Sequence, residues 1–466
     1  MQLFQQGISH NIVNIIFCLL IVECYCYISP PEFNLKTRDA SIVDKVFDGS
    51  SNFRTLFRTT SGKILAGCKN ALLVLDDNLT ETNRLTFNSC DRPSGEITCQ
   101  QEKTNEEAYY CQNYIRTIIE CKDTNPARRY FVCGTNSLRP LCYYVSENFT
   151  RDPRNPTGTC VVSREDNDAG LMNGREISAF NPNQNVSSLY FAVKDSVHRL
   201  FTCTTYNSAG IQGIIRSSDM FNISDGFAMV NDKGYNKWLD APQFVGSPIT
   251  YNGRIYFFFR EPAREFDNAG KTVFSRVAAV CMNDTGGEKH SNLDGMWTTY
   301  IKARLNCSLH GEYPFYYNHL QDVYQTSLDS DIVFGVFTTQ EYGQSGSALC
   351  AYSMKEIEYL VEYADLKGQK SANSLWLPYP NSDPPIVPRP GSCGSPQPTS
   401  NYDLIRSYSL VDTPVPNLAN YNQDMSPTLN RKSDEPLLIL NDVRFSQLVV
   451  EKSFSSYDIF YIGTGK

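Results

Sequence analysis

Side chains suited to proton transfer or metal binding are few and poorly spaced. Five histidines occur, His10, His198, His290, His310 and His319, and none stands in an HExxH or comparable ligand spacing. Gly343 to Ser347 reads GQSGS, which misses the nucleophile turn GxSxG because position 347 is Ser. Gly463-Thr464-Gly465-Lys466 lacks the earlier glycine and the following Ser or Thr of a phosphate-binding loop. Asp166-Asn167-Asp168-Ala169-Gly170 opens like a calcium loop, but its glycine is misplaced and the closing glutamate is missing, so it reads as a solvated acidic turn. His310, Asp322 and a serine make a triad only on paper, since no strand-turn-helix context presents a nucleophile. The expectation is a non-enzyme with no catalytic residue, metal or cofactor.

Cysteine is the remaining reactive type. Of 16 cysteines, Cys18, Cys24 and Cys26 fall in the first 26 residues and 13 follow, from Cys68 to Cys393, without one CxxC pair. That disfavours zinc ribbons and thioredoxin motifs and favours structural disulfides in an oxidising compartment. Asn11 to Val22 is an apolar run too short for a bilayer, followed by Cys24-Tyr25-Cys26, and residues 1–26 read as a signal peptide. Its n-region has no Lys or Arg, and a buried N-terminal strand is the alternative. Six N-x-S/T sequons, at Asn78, Asn148, Asn185, Asn222, Asn283 and Asn306, agree with a secreted, glycosylated chain. A net charge of −8 and no basic stripe argue against nucleic acid.

The elements that must carry these residues are strands. The chain has 466 residues, 41% of them hydrophobic, with 28 Tyr and 26 Phe, a composition that suits sheets. A hairpin of two apolar runs about a turn recurs, starting at Ile64, Tyr130, Leu189, Ile255 and Ile332, and opens again at Ile459. The first four intervals keep one period, as four-stranded blades about a central channel would. The long last interval needs an insertion at about 355–400. It opens with an amphipathic helix carrying Ile357, Leu360, Val361 and Ala364 and continues into a Pro-rich stretch, and it either projects or covers its own blade.

With the blades placed, longer motifs become specific. CQNYIR from Cys111, CGTNSLRPLC from Cys133, FFFREPAREF from Phe257, SRVAAVCMND from Ser275, WTTYIKARLNCS from Trp297, FYYNHLQDVY from Phe315, ALCAYSM from Ala348 and RPGSC from Arg389 occur in this order. Together they resemble the sema domain of semaphorins, of the ligand branch, over nearly everything from residue 27 onward. The resemblance implies an all-β, seven-bladed β-propeller. The sema domain would occupy 27–466 and be incomplete, with its last blade missing after Lys466 and a partly helical insertion after blade five.

The resemblance also implies disulfides Cys99–Cys111, Cys133–Cys142, Cys281–Cys393 and Cys307–Cys350. It leaves Cys68, Cys90, Cys121, Cys160 and Cys203 over, with Cys68 expected as a buried thiol. It further implies a homodimeric guidance ligand that engages a plexin-family receptor and redirects axons or migrating cells. Such a ligand has no small-molecule substrate, and any membrane attachment lies in sequence outside this chain. A receptor-type sema ectodomain and a soluble pathogen-derived mimic are the alternatives. Arg260, Glu261, Arg264 and Glu265 read first as a local charge network at a strand end, and no receptor-contact residue is assigned.

Overall fold

Short antiparallel strands make up most of the described chain. The computed structural model describes residues 53–87, 110–122, 129–150, 171–193, 197–220, 228–232, 237–266, 270–327, 330–371, 374–380, 383–418, 435–452 and 458–465, with short strand segments at 16–18, 33–34 and 48–49. Cys90, Cys99, Cys160, Asn222, the 166–170 turn and most of residues 1–26 lie outside them. The chain divides into two compact units, residues 24–228 in one and residues 1–23 with 229–466 in the other.

In the first unit β1 (Thr55–Arg58), β2 (Ile64–Cys68), β3 (Ala71–Leu75) and β4 (Glu81–Thr86) form one sheet. β3, ALLVL, is buried along its whole length, whereas β4 buries only Leu85, as expected of a central strand and a polar edge. A second sheet joins β5 (Ile115–Glu120), β6 (Tyr130–Gly134), β7 (Leu141–Val145) and β8 (Leu171–Asn173). Leu65, Leu72 and Val74 of the first sheet share a core with Ile118, Val132 and Tyr143 of the second.

The third sheet contains β9 (Ser187–Val193), β10 (Val197–Thr205) and β11 (Gly213–Asp219). The hairpin read from Leu189 therefore supplies the first two strands of its sheet, while those at Ile64 and Tyr130 supply the second and third. The strand in phase with them starts at Val197. Apolar runs about a turn mark a hairpin without saying which pair of a four-stranded sheet it is, and the uniform phase expected from sequence shifts here for that reason.

The second unit opens with β12 (Gln243–Tyr251), β13 (Arg254–Pro262), β14 (Val273–Cys281) and β15 (Ile301–Arg304). Asn252 and Gly253 turn β12 into β13 with φ of 44° and 75°, the left-handed pair that an Asn-Gly hairpin supplies at least strain. The next sheet holds β16 (His319–Gln325), β17 (Ile332–Thr338) and β18 (Gly346–Ser353). After β18 come α1 (Met354–Tyr363), β19 (Leu366–Gly368), α2 (Tyr402–Ser407) and β20 (Leu410–Val411). Only then does β21 (Leu438–Asn441) return as the fourth strand beside β18. A hairpin of β22 (Arg444–Lys452) and β23 (Asp458–Gly465) follows, and Ile16–Cys18 runs parallel to β23.

The insertion thus lies inside the fifth sheet, between its third and fourth strands, and continues to residue 437, beyond the expected 400. It does not project. Ser353 caps α1 by accepting the Glu356 N–H, and Met354, Ile357, Leu360 and Val361 enter a core shared with the sheets of β12–β15 and β16–β18. β20 pairs in parallel with β15 through Lys302 and Leu410, and so widens the earlier sheet. Burying the apolar stripe of α1, at roughly 25 cal/mol per Å² removed from water, stabilises this placement. Among the described residues no helix is long and apolar enough to cross a membrane.

Candidate interaction face

The charged end of β13 is folded inward more than outward. Glu261 is 2% exposed; its Oε1 lies 3.2 Å from Arg276 Nε and 2.5 Å from Lys302 Nζ, and its Oε2 accepts the Asp240 N–H at 3.0 Å. Arg276 Nη2 donates to both oxygens of Glu265, at 2.5 and 2.7 Å. Arg260 donates to the Leu320 carbonyl at 2.5 Å and to Gln243 and Gln321, and Arg264 pairs with Asp240 at 2.7 Å. All four charged residues of FFFREPAREF hold local structure.

Period-two geometry explains the arrangement. Arg276 of β14 stands opposite Arg304 of β15, and Lys302 lies two residues before Arg304, on the same face. Three cations therefore meet two carboxylates, Glu261 and Glu265. Burial works against the charge of Arg276, but Glu265 and Glu261 outweigh it and hold its pKa above the ordinary arginine value. Burial lowers that of Lys302 despite Glu261. For Glu265, burial is overridden by Arg276 and the carboxyl sits below its ordinary range. Desolvated charges of this kind are stable only while paired.

Beside this network opens a pocket of about 450 Å³ whose lining includes Phe266, Phe274, Tyr316, and Leu410 and Val411 of β20, with Arg304 in its wall. The Arg304 guanidinium carbon lies 3.7 Å from the Phe274 ring centroid and 4.8 Å from that of Tyr316. Phe266, Phe315 and Tyr316 are exposed at 48%, 45% and 39%. Exposed rings beside partly buried cations suit contact with another macromolecule. Sequence reading missed Lys302, Arg304 and Tyr316. The alternation Lys302-Ala303-Arg304 was the available signal, but the facing carboxylates come from β13 and the turn after it.

Disulfides join Cys133 to Cys142 across β6 and β7, Cys281 to Cys393, and Cys307 to Cys350. Cys111 is also disulfide-bonded, and its expected partner Cys99 lies outside the described residues. Cys68 is a buried thiol whose Sγ donates to the Ala66 carbonyl, and burial pushes its pKa up to about 12. Burial likewise raises the thiol of Cys203, and Cys121 is buried. Neither Cys68 nor Cys203 forms a reactive thiolate near neutral pH.

Asn78, Asn148 and Asn283 are exposed in turns, while Asn185 and Asn306 are half-buried. The paper triad is not assembled: Asp322 accepts the N–H groups of Val323 and Leu448. Ser347 of GQSGS is spent in β18, donating to the Val443 carbonyl and accepting the Phe445 N–H. His198 bonds Tyr190 through Nδ1 at 2.6 Å. Among the described residues no group of three or more His, Cys, Asp or Glu side chains could hold a metal ion.

A family model for the Sema domain matches residues 319–466. Semaphorin-2A of Drosophila melanogaster is 34% identical over 78% of this chain, and the chain spans 48% of that protein, about half its length. Among solved structures, the extracellular domains 1–2 of Drosophila Semaphorin 1a are 31% identical with a TM-score of 0.67, over 88% of this chain and 73% of that one. A structure of Drosophila Plexin A in complex with Semaphorin 1b matches at 28% identity and a TM-score of 0.68, over 89% and 72%. These sema-domain structures are β-propellers, which is the fold to which the described sheets belong.

Proposed function

Because this chain belongs to the semaphorin family, we propose that it is an extracellular ligand for a plexin-type receptor, acting in the guidance of axons or migrating cells and catalysing no reaction. The likeness to the Semaphorin 1b of a solved plexin complex carries this reading. The disulfides, the exposed sequons and the leader-like residues 1–26 support secretion. A homodimer, presenting two copies of the binding face, would gain avidity on a cell surface.

The protein, produced through a secretory pathway and applied to cells that each display one plexin class, is expected to bind at least one. Failure to bind any class would sink the proposal. N-terminal sequencing of the secreted product tests the leader, with cleavage expected near Cys26.

A further inference from the structure

We propose that the pocket beside Arg304 binds a single carboxylate, carried by an acidic side chain of a protein that docks on this face. Charge and hydrogen bonding lead there. Glu261 is engaged by Arg276 and Lys302, and Glu265 by Arg276, which leaves Arg304 without a carboxylate. Its one polar contact is Asn318 Oδ1 at 3.4 Å, the outer limit of a hydrogen bond. Arg304 Nε and Arg276 Nη1 are both shielded from solvent and face no acceptor, and Arg276 is 1% exposed in the pocket wall. A buried donor left unmade is costly, more so when charged, so an acceptor arriving here recovers that loss.

The pocket also selects among anions. A guanidinium covered on one face by Phe274 keeps its in-plane N–H groups for a planar, two-oxygen acceptor. Only one cation is unmatched: Lys367 is paired with Asp412 at 3.1 Å, and Glu265 stands in the wall. A polyanion would meet those carboxylates and a chain of net charge −8, whereas one carboxylate restores local neutrality. The exposed rings of Phe266 and Tyr316 offer apolar contact to residues flanking the acid.

Two arms test this with the whole chain, as wild type, Arg304→Gln and Arg304→Lys. In the first, saturation-transfer NMR compares N-acetyl-glutamate methylamide with its glutamine counterpart. Wild type is expected to transfer to the glutamate probe alone, with about tenfold or greater loss in Arg304→Gln and a smaller loss in Arg304→Lys. Equal transfer to both probes, or a glutamate signal unchanged in Arg304→Gln, overturns the site. Displacement of the probe by equimolar sulfate overturns its assignment to an acidic side chain.

The second arm rests on the plexin reading and measures binding to plexin extracellular regions. Arg304→Gln is expected to weaken binding about tenfold or more at unchanged melting temperature, since truncating one partner of a desolvated charge pair leaves the other charge buried and unpaired. Undiminished binding overturns the docking role. If wild type binds no plexin, the plexin reading fails while the probe arm still decides the pocket.

Discussion

Arg254 Nη2 lies 2.6 Å from Glu362 Oε1, so one side chain of β13 grips the last turn of α1. Its Nη1 donates to the Gly391 carbonyl and lies 2.9 Å from Cys393 Sγ. Arg389 in turn donates to the Val361 and Ala364 carbonyls at the open end of α1. Arg254→Met removes the grip and leaves the Gly391 carbonyl unpartnered. Because Glu362 is 35% exposed and turns to water, the loss is expected at about 2–3 kcal/mol in denaturant unfolding, below that of a fully buried pair. A loss under about 0.5 kcal/mol would contradict the anchoring role.

The Cys281–Cys393 bridge spans 112 residues and ties the first half of the insertion, with α1, onto β14. A loop of that length corresponds to roughly 4–5 kcal/mol of chain entropy in the unfolded state. The double variant Cys281→Ser, Cys393→Ser should lose stability of that order. Limited proteolysis should then cut first between α1 and α2, whereas first cleavage elsewhere would argue against the insertion as the element released.

His319 and Asp322, three residues apart on β16, should pull stability in opposite directions with pH. Burial, helped by Arg260 and Arg444, lowers His319 to about 4 from 6.5. The unfolded chain then binds more protons, and stability falls as pH drops from 6.5 toward 4. Burial raises Asp322 to about 7 from 3.8, against the N–H groups of Leu448 and Val323. Its contribution is complete below pH 3.8 and lost as pH rises to 7. The two contributions should therefore largely cancel in the wild type over this window. Asp322→Asn should lose, and His319→Gln gain, on the order of 2–4 kcal/mol on acidification. Parallel profiles for the three proteins would refute the assignment.

Glycopeptide mapping of secreted protein should find glycan at Asn78, Asn148 and Asn283. Asn283 Nδ2 donates to the Cys393 carbonyl at 3.2 Å, and a glycosylated amide keeps the one N–H which that bond needs. Asn306 should be occupied least. Its Oδ1 is buried without a partner and its backbone is bound to Val415, leaving little room for a sugar in the folded state. Full occupancy at Asn306 would show that the side chain can leave this position.

From the sequence alone, local order was legible. The hairpins followed from apolar runs about turns, and α1 from Ile357, Leu360 and Val361 at helical spacing, because strand and helix periods are properties of a few consecutive residues. The cysteine pattern and sequons were equally readable, being matters of type and count. Tertiary structure alone decided what depends on partners far along the chain. Leu410 lies beside Lys302, which makes of an insertion that could project or cover its own blade a widened sheet. Asp322 meets Leu448 and acquires its raised pKa. The surplus charge of Arg304 exists only because Glu261 is already engaged by Arg276 and Lys302, and Glu265 by Arg276. A cation's partner is set by distance in space, and spacing along the chain carries no record of which charges will already be taken when three strands come together.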